Sequence, residues 1–211
     1  MSLDRTEASL DKIIKPLSDE IESREFLIKN TRDVISMCSR AIIAVHAGDT
    51  VSAAAKAKEA AKLLRSHKKR AAGGLRRYLA VPEQELVEAL SLIAIVGGRP
   101  VPSRESLGVS GPSYVLGLLD CIGELKRLAY DRIRAGDAAG AQDAFRTMEG
   151  LYNMLYPFAA FDKVIKEARR KLDVARILIE DTRAAVTEEA RRAELLHALR
   201  GLRSMGAGDG I

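Results

Sequence analysis

Apolar residues recur at intervals of three and four along almost the whole of this 211-residue chain, and that periodicity most restricts its fold. Leu3, Leu10, Ile13, Ile14, Leu17 and Ile21 begin it, and Phe26, Leu27, Thr31, Val34, Ile35, Cys38, Ala41, Ile42 and Val45 continue it. The interruptions are Gly48, the Gly73-Gly74 and Gly97-Gly98 pairs, Gly136 and Pro157, with one long loop at 99–111. An alanine- and leucine-rich chain with 30 % charged residues and only six prolines fits an all-α protein. The expectation is about seven helices in a single bundle spanning 1–203, followed by a glycine-rich, disordered tail at 204–211. Pro16 should kink or restart the first helix. Asp49 or Thr50 caps the second, Pro82 and Pro112 open two more, and Asp137 caps another. A long helix begins near Phe161, and Thr187 with Glu188 and Glu189 caps a separate last helix, 190–202.

Within this frame two acidic pairs stand out. Glu85 and Glu88 are three apart, on one face of a predicted helix whose other residues, Leu86, Val87, Leu90, Leu92, Ile93, Ile95 and Val96, are apolar. Asp120 and Glu124 are four apart in a second apolar run. Carboxylates in such surroundings are costly to desolvate without a counter-charge. A divalent cation is one solution, and oxygen-only donors suit Mg²⁺ or Mn²⁺. The alternative is that each acid pairs with a nearby Arg or Lys. Glu124 is placed to pair with Arg127 or to support a ligand from behind.

Charge is unevenly spread. Between Lys56 and Arg77 nine Lys or Arg face a single acid, Glu59, so this segment carries +8 and the remainder −3 of the net +5. That is the footprint expected for a phosphate backbone, and equally of a solvated basic face. No apolar run reaches the length of a membrane span, and no secretory leader is visible. Cys38 and Cys121 lie in apolar helical stretches and read as buried thiols of a cytoplasmic protein. The sequence has no phosphate-binding glycine loop, no Cys-x-x-Cys and no Gly-x-Ser-x-Gly, which argues against an ATPase, a zinc protein and a serine hydrolase.

The acidic stretches also carry a family resemblance. Gln84-Glu85-Leu86-Val87-Glu88-Ala89-Leu90-Ser91 resembles the start of the corresponding helix in the translin family, in the branch of translin-associated factor X. The run from Tyr114 through Asp120 and Glu124 to Leu125 is similar to that branch's later acidic helix. Arg24-Glu25 through Arg32, Ser36, Ile42 and His46 is similar to the family's first long helix.

The resemblance implies a closed homo-oligomer, an octamer in the family, with acidic sites facing inward. It implies a metal-dependent endoribonuclease that hydrolyses single-stranded or short structured RNA, with Glu85, Glu88 and Asp120 as catalytic metal ligands and Glu124 as a further candidate. Substrate would be held by Lys29, Arg32, His67, Lys68, Lys69, Arg70, Arg76 and Arg77, with Tyr78 able to stack on a base. Three other readings stay open: a non-catalytic binder of single-stranded RNA or DNA resembling translin, a helical protein-interaction scaffold, and a phosphohydrolase of small nucleotides.

Overall fold

The computed structural model describes residues 3–206. Seven α-helices and two 3-10 segments account for its regular structure, with no strand among the described residues. The helices are α1 (Asp4–His46), α2 (Thr50–Lys68), α3 (Ala80–Val96), α4 (Arg104–Leu107), α5 (Gly111–Arg134), α6 (Ala138–Leu155) and α7 (Ala168–Gly206). The 3-10 segments are Gly73–Leu79 and Tyr156–Phe161. The chain divides into two compact units, Met1–Gly117 and Leu118–Ile211.

In the first unit α1, α2, α3 and the Gly73–Leu79 segment pack on one another. The buried stripe of α1 is Leu27, Thr31, Val34, Cys38, Ala41, Ile42 and Val45, and that of α2 is Ala53, Ala57, Ala60, Leu64 and His67. Helix α3 is buried on nearly every side, as its run of Leu, Val and Ile requires. The outer half of α1 is different: Leu3, Leu10, Ile13, Ile14, Leu17 and Ile21 are each more than half exposed.

In the second unit α6 packs on α7, and the Tyr156–Phe161 segment packs on both. The α5 residues of this unit reach α7 through Lys126 and Tyr130, which both donate to the Asp181 carboxylate.

The helix ends follow local chemistry. At Gly48 (φ 79°) the Gly48 N–H donates to Val45 and the Asp49 N–H to Ala44, and the Asp49 carboxylate then accepts from the Ser52 N–H at 2.9 Å. The same sequence of bonds recurs at Gly136 (φ 74°), with Asp137 accepting from Gly140 at 2.9 Å. Both are glycine C-caps of the Schellman type running straight into an aspartate N-cap.

Three expectations are corrected. Helix α1 does not restart at Pro16, where the imino nitrogen removes a single internal bond from a helix of 43 residues. Helix α7 begins at Ala168, later than Phe161, and passes through Thr187 without a break. Thr187, Glu188 and Glu189 lie inside it because no glycine or proline interrupts the run, and Arg192 pairs with both glutamates one turn on. The tail expected from 204 onward starts inside this helix, which extends to Gly206, and residues 207–211 lie outside the described residues.

Candidate functional site

The first acidic pair is built by α3. Pro82 lies in its first turn, and Glu85 and Glu88 follow on one half-buried face. Opposite them is Cys38 of α1, fully buried. Burial, reinforced by the nearby charges of Glu85 and then Glu88, pushes its thiol up to about 12. Both carboxylates are therefore close enough to put a negative potential into the α1–α3 contact.

Gly117, at the end of this unit, lets α5 meet α3 closely. A β-carbon there would lie 2.5 Å from the Gln84 carbonyl oxygen and 2.7 Å from Val87 Cβ. Those two residues bracket Glu85.

The second pair belongs to the other unit. Asp120 is half-buried and accepts a hydrogen bond from the Lys171 ammonium of α7. The two lie in a cavity of about 170 Å³ that Arg170 and Val174 also line. Glu124 sits 4.0 Å from Arg127. For Asp120 the structure thus shows the basic partner that the sequence left as an alternative, and for Glu124 the nearby arginine. Lys171 is invisible to a reading of the sequence, because it is 51 residues from Asp120 and nothing local marks it.

Among the described residues no group of three or more His, Cys, Asp or Glu is arranged to hold a metal ion. The donor chemistry still fits Mg²⁺, which is commonly held by one or two carboxylates with waters and substrate phosphates completing its shell.

The predicted cations fall into distinct environments. Lys29 and Arg32 are exposed on α1, and Lys69 is exposed at the end of α2. Lys68 is tied down: its ammonium lies 2.9 Å from Glu83 and donates to the Gly108 carbonyl. Glu83 is 5 % exposed and also accepts from the Ser110 N–H at 2.9 Å, so this buried carboxylate joins α2, α3 and the 99–110 loop.

Arg70 lies over the Phe26 ring, 4.4 Å from its centroid, and reaches Glu22 at 3.4 Å. Arg76 is exposed on the rim of a cavity of about 360 Å³ lined by Lys68, Glu83, Arg104 and Ser110. Arg77 donates to the Tyr78 hydroxyl at 3.2 Å, and Arg24 of α1 donates to the same oxygen at 3.0 Å.

His67 is a correction. It is 2 % exposed, packs edge-on to Phe26 with ring centroids 5.3 Å apart, and its Nδ1 is buried without a hydrogen-bond partner. The basic run around it pointed to the surface. The signal that places it inside is phase: 53, 57, 60, 64 and 67 form one four-three-four-three stripe, and its other four members are Ala or Leu. Burial depresses its pKa, with Asp33 opposing.

Comparison with known proteins bears on this arrangement. The model of the translin family matches residues 72–181, which include both acidic pairs and the Arg76–Tyr78 cluster. An uncharacterised protein of Methanocaldococcus jannaschii is 29 % identical over 194 residues, covering 90 % of this chain and 87 % of that protein. Among solved structures, AfC3PO in complex with duplex RNA has a TM-score of 0.78 and 28 % identity, covering 87 % of this chain and 97 % of that one. AfC3PO alone has a TM-score of 0.76 and 30 % identity, covering 87 % and 98 %. The fold also matches apo-NeC3PO, with a TM-score of 0.76 at 22 % identity, covering 85 % and 96 %. This chain belongs to the translin family.

Proposed function

We propose that this protein binds RNA and hydrolyses its phosphodiester bonds with a divalent cation, Mg²⁺ or Mn²⁺, as in the branch of translin-associated factor X. The observation that carries the reading is the Glu85–Glu88 pair, two half-buried carboxylates on one face of an apolar helix beside a fully buried thiol. Paired carboxylates of this kind are the oxygen donors that a divalent cation takes. The similarity to AfC3PO, a protein solved with duplex RNA, supplies the substrate class.

The candidate cation donors are Glu85 and Glu88 in the first unit, and Asp120 with Glu124 in the second. Such a cation lowers the pKa of water and offsets charge developing on a scissile phosphate. The exposed cations Lys29, Arg32, Lys69, Arg76 and Arg77 would hold the backbone. The exposed apolar stripes of α1 and α7, the latter including Leu195, Leu196, Leu199 and Leu202, support assembly into the family's closed octamer, since a lone chain leaves both uncovered. The two buried cysteines, Cys38 and Cys121, form no disulfide, which supports a reducing, cytoplasmic setting.

The test is cleavage of an end-labelled single-stranded RNA with Mg²⁺, with EDTA, and by Glu88→Ala. Cleavage that requires both the metal and Glu88 supports the reading, and metal-independent or Glu88-independent cleavage overturns it.

A second reading, an RNA binder without catalysis, is favoured by one observation: Lys171 already neutralises Asp120. Lys171→Met separates the two. If Asp120 is a metal ligand, added Mn²⁺ raises the melting temperature of this variant and not that of Lys171→Met combined with Asp120→Asn. If Asp120 is only a structural partner, Mn²⁺ changes neither.

A further inference from the structure

Several arginines in this protein meet an acid: Arg70 reaches Glu22, Arg104 reaches Glu105, Arg132 reaches Asp137 and Arg183 reaches Glu149. Arg24 and Arg77 do not. From separate elements, α1 and the Gly73–Leu79 segment, they converge on one neutral oxygen, the Tyr78 hydroxyl, at 3.0 and 3.2 Å. Their guanidinium carbons lie 6.0 and 5.0 Å from the centre of the Tyr78 ring. Among the described residues neither has a carboxylate within ion-pair distance. Two like charges brought to one point repel each other, and an anion between them would turn that repulsion into attraction.

We propose that Arg24, Arg77 and Tyr78 form a seat for one nucleotide of single-stranded RNA, the two guanidiniums taking its phosphodiester and the Tyr78 ring its base. The inference rests on the RNA-binding reading above and adds to it a site that joins Arg77 and Tyr78 to Arg24, a residue outside the expected cation set.

A guanidinium carries five N–H donors in a plane, and each of these spends one on the phenol. The remaining donors match the tetrahedral oxygens of a phosphate, for which paired arginines are well suited. Tyr78 is half-buried, so part of the residue reaches solvent beside the two guanidiniums. An accessible aromatic ring beside a phosphate site stacks an unpaired base with little regard to its identity. Bases of a duplex are already stacked on their neighbours, so the seat selects single strands or unpaired ends. The field of the two arginines also draws the phenol's pKa below its usual value, the hydrogen bond from Arg77 contributing most and that from Arg24 next. An arriving phosphate would compete for both guanidiniums and let that pKa rise.

The experiment is fluorescence anisotropy of the full chain with a short end-labelled single-stranded RNA in EDTA, across a salt series. Arg24→Ala and Arg77→Ala should each weaken binding about tenfold, with a log–log salt slope shallower by about 0.7 for each phosphate no longer neutralised. Tyr78→Phe, which keeps the ring, should bind within about twofold of wild type, while Tyr78→Ala weakens binding about tenfold. The tyrosinate absorbance that Tyr78→Phe removes should move to higher pH when RNA is added. Arg146→Ala, exposed and paired with Asp143, is the control.

Unchanged affinity in folded Arg24→Ala and Arg77→Ala, with wild type binding, overturns the seat and leaves the RNA reading standing. No binding by wild type overturns both. Equal losses in Tyr78→Phe and Tyr78→Ala remove the stacked base. Should Tyr78→Ala fail to fold, the arginine variants and the tyrosinate shift decide the question. A duplex bound as sensitively to these variants as a single strand overturns the strand preference.

Discussion

Helix α5 contains two internal glycines whose replacement by alanine should have opposite effects. At Gly117 a new β-carbon meets the Gln84 carbonyl oxygen at 2.5 Å and Val87 Cβ at 2.7 Å. Comfortable contact needs roughly 3.5 Å, so α3 and α5 must retreat by about 1 Å. The carbonyl belongs to the backbone of α3 and cannot rotate aside. Overpacking of this kind costs about 1–3 kcal/mol, here towards the upper end, and the gain in helix propensity returns about 1 kcal/mol. Gly117→Ala should therefore destabilise by about 2 kcal/mol. At Gly123 the same atom finds only Leu178 Cδ1 at 4.0 Å, an ordinary contact. Only the propensity term remains, and Gly123→Ala should stabilise by about 0.5–1 kcal/mol.

The two variants thus differ by about 3 kcal/mol. With a urea dependence of about 2 kcal/mol per molar, their unfolding midpoints should lie about 1.5 M apart on either side of wild type. The measurement is urea unfolding followed by circular dichroism at one protein concentration, because association shifts apparent stability. A Gly117→Ala midpoint at or above wild type would refute the close approach of α3 and α5.

Three further outcomes follow from the buried groups. The Cys38 thiol, raised from 9.0 to about 12, ionises more readily in the unfolded chain, so its contribution to stability is complete below about pH 9 and is lost as pH rises towards 12. Glu85→Gln or Glu88→Gln in a Cys121→Ser background should lower that pKa, read as thiolate absorbance during an alkaline titration; an unmoved curve would place the carboxylates elsewhere. His67 has a depressed pKa, so its contribution is present above 6.5 and is lost as pH falls towards its folded value. His67→Leu should narrow the gap between urea midpoints at about pH 7.5 and about pH 5.5, and an unchanged gap would assign acid sensitivity to other groups. Glu83→Gln keeps an acceptor for Ser110 but loses the charge facing Lys68, a cost of about 1–2 kcal/mol given that Lys68 is 23 % exposed. Glu83→Leu leaves the Ser110 N–H without its acceptor and Lys68 with only the Gly108 carbonyl, costs about 3 kcal/mol, and should speed tryptic cleavage at Arg104; unaltered digestion would show that the loop is held by other means.

Helix ends were legible because their chemistry is local: Gly48 with Asp49, and Gly136 with Asp137, each complete their caps within nine residues. The Glu85–Glu88 pair was legible for the same reason, three residues being one face of one helix. Thr187 misled because a capping residue is only a preference, and inside an unbroken run of helix formers it caps nothing. Arg127 was legible as the neighbour of Glu124, but the partners of Asp120 and Glu83 were not. Lys171 is 51 residues from Asp120, and Lys68 stands apart from Glu83 on another helix.

The same non-locality reshapes the basic segment. Counted along the chain, Lys56 to Arg77 is a block of +8 offered to a polyanion. Folding spends part of that block inside the protein: Lys68 on a buried carboxylate, Arg70 on Phe26 and Glu22. His67, from the same run, goes into the core. It also brings in a charge the count omits, since Arg24 arrives from α1 to share the Tyr78 hydroxyl with Arg77. What determines where a phosphate can bind is therefore which cations are left without an acid after packing. By that criterion the junction of α1 with the Gly73–Leu79 segment, where two such cations meet on one oxygen, is a candidate position in the first unit that the density of Lys and Arg in the chain does not locate.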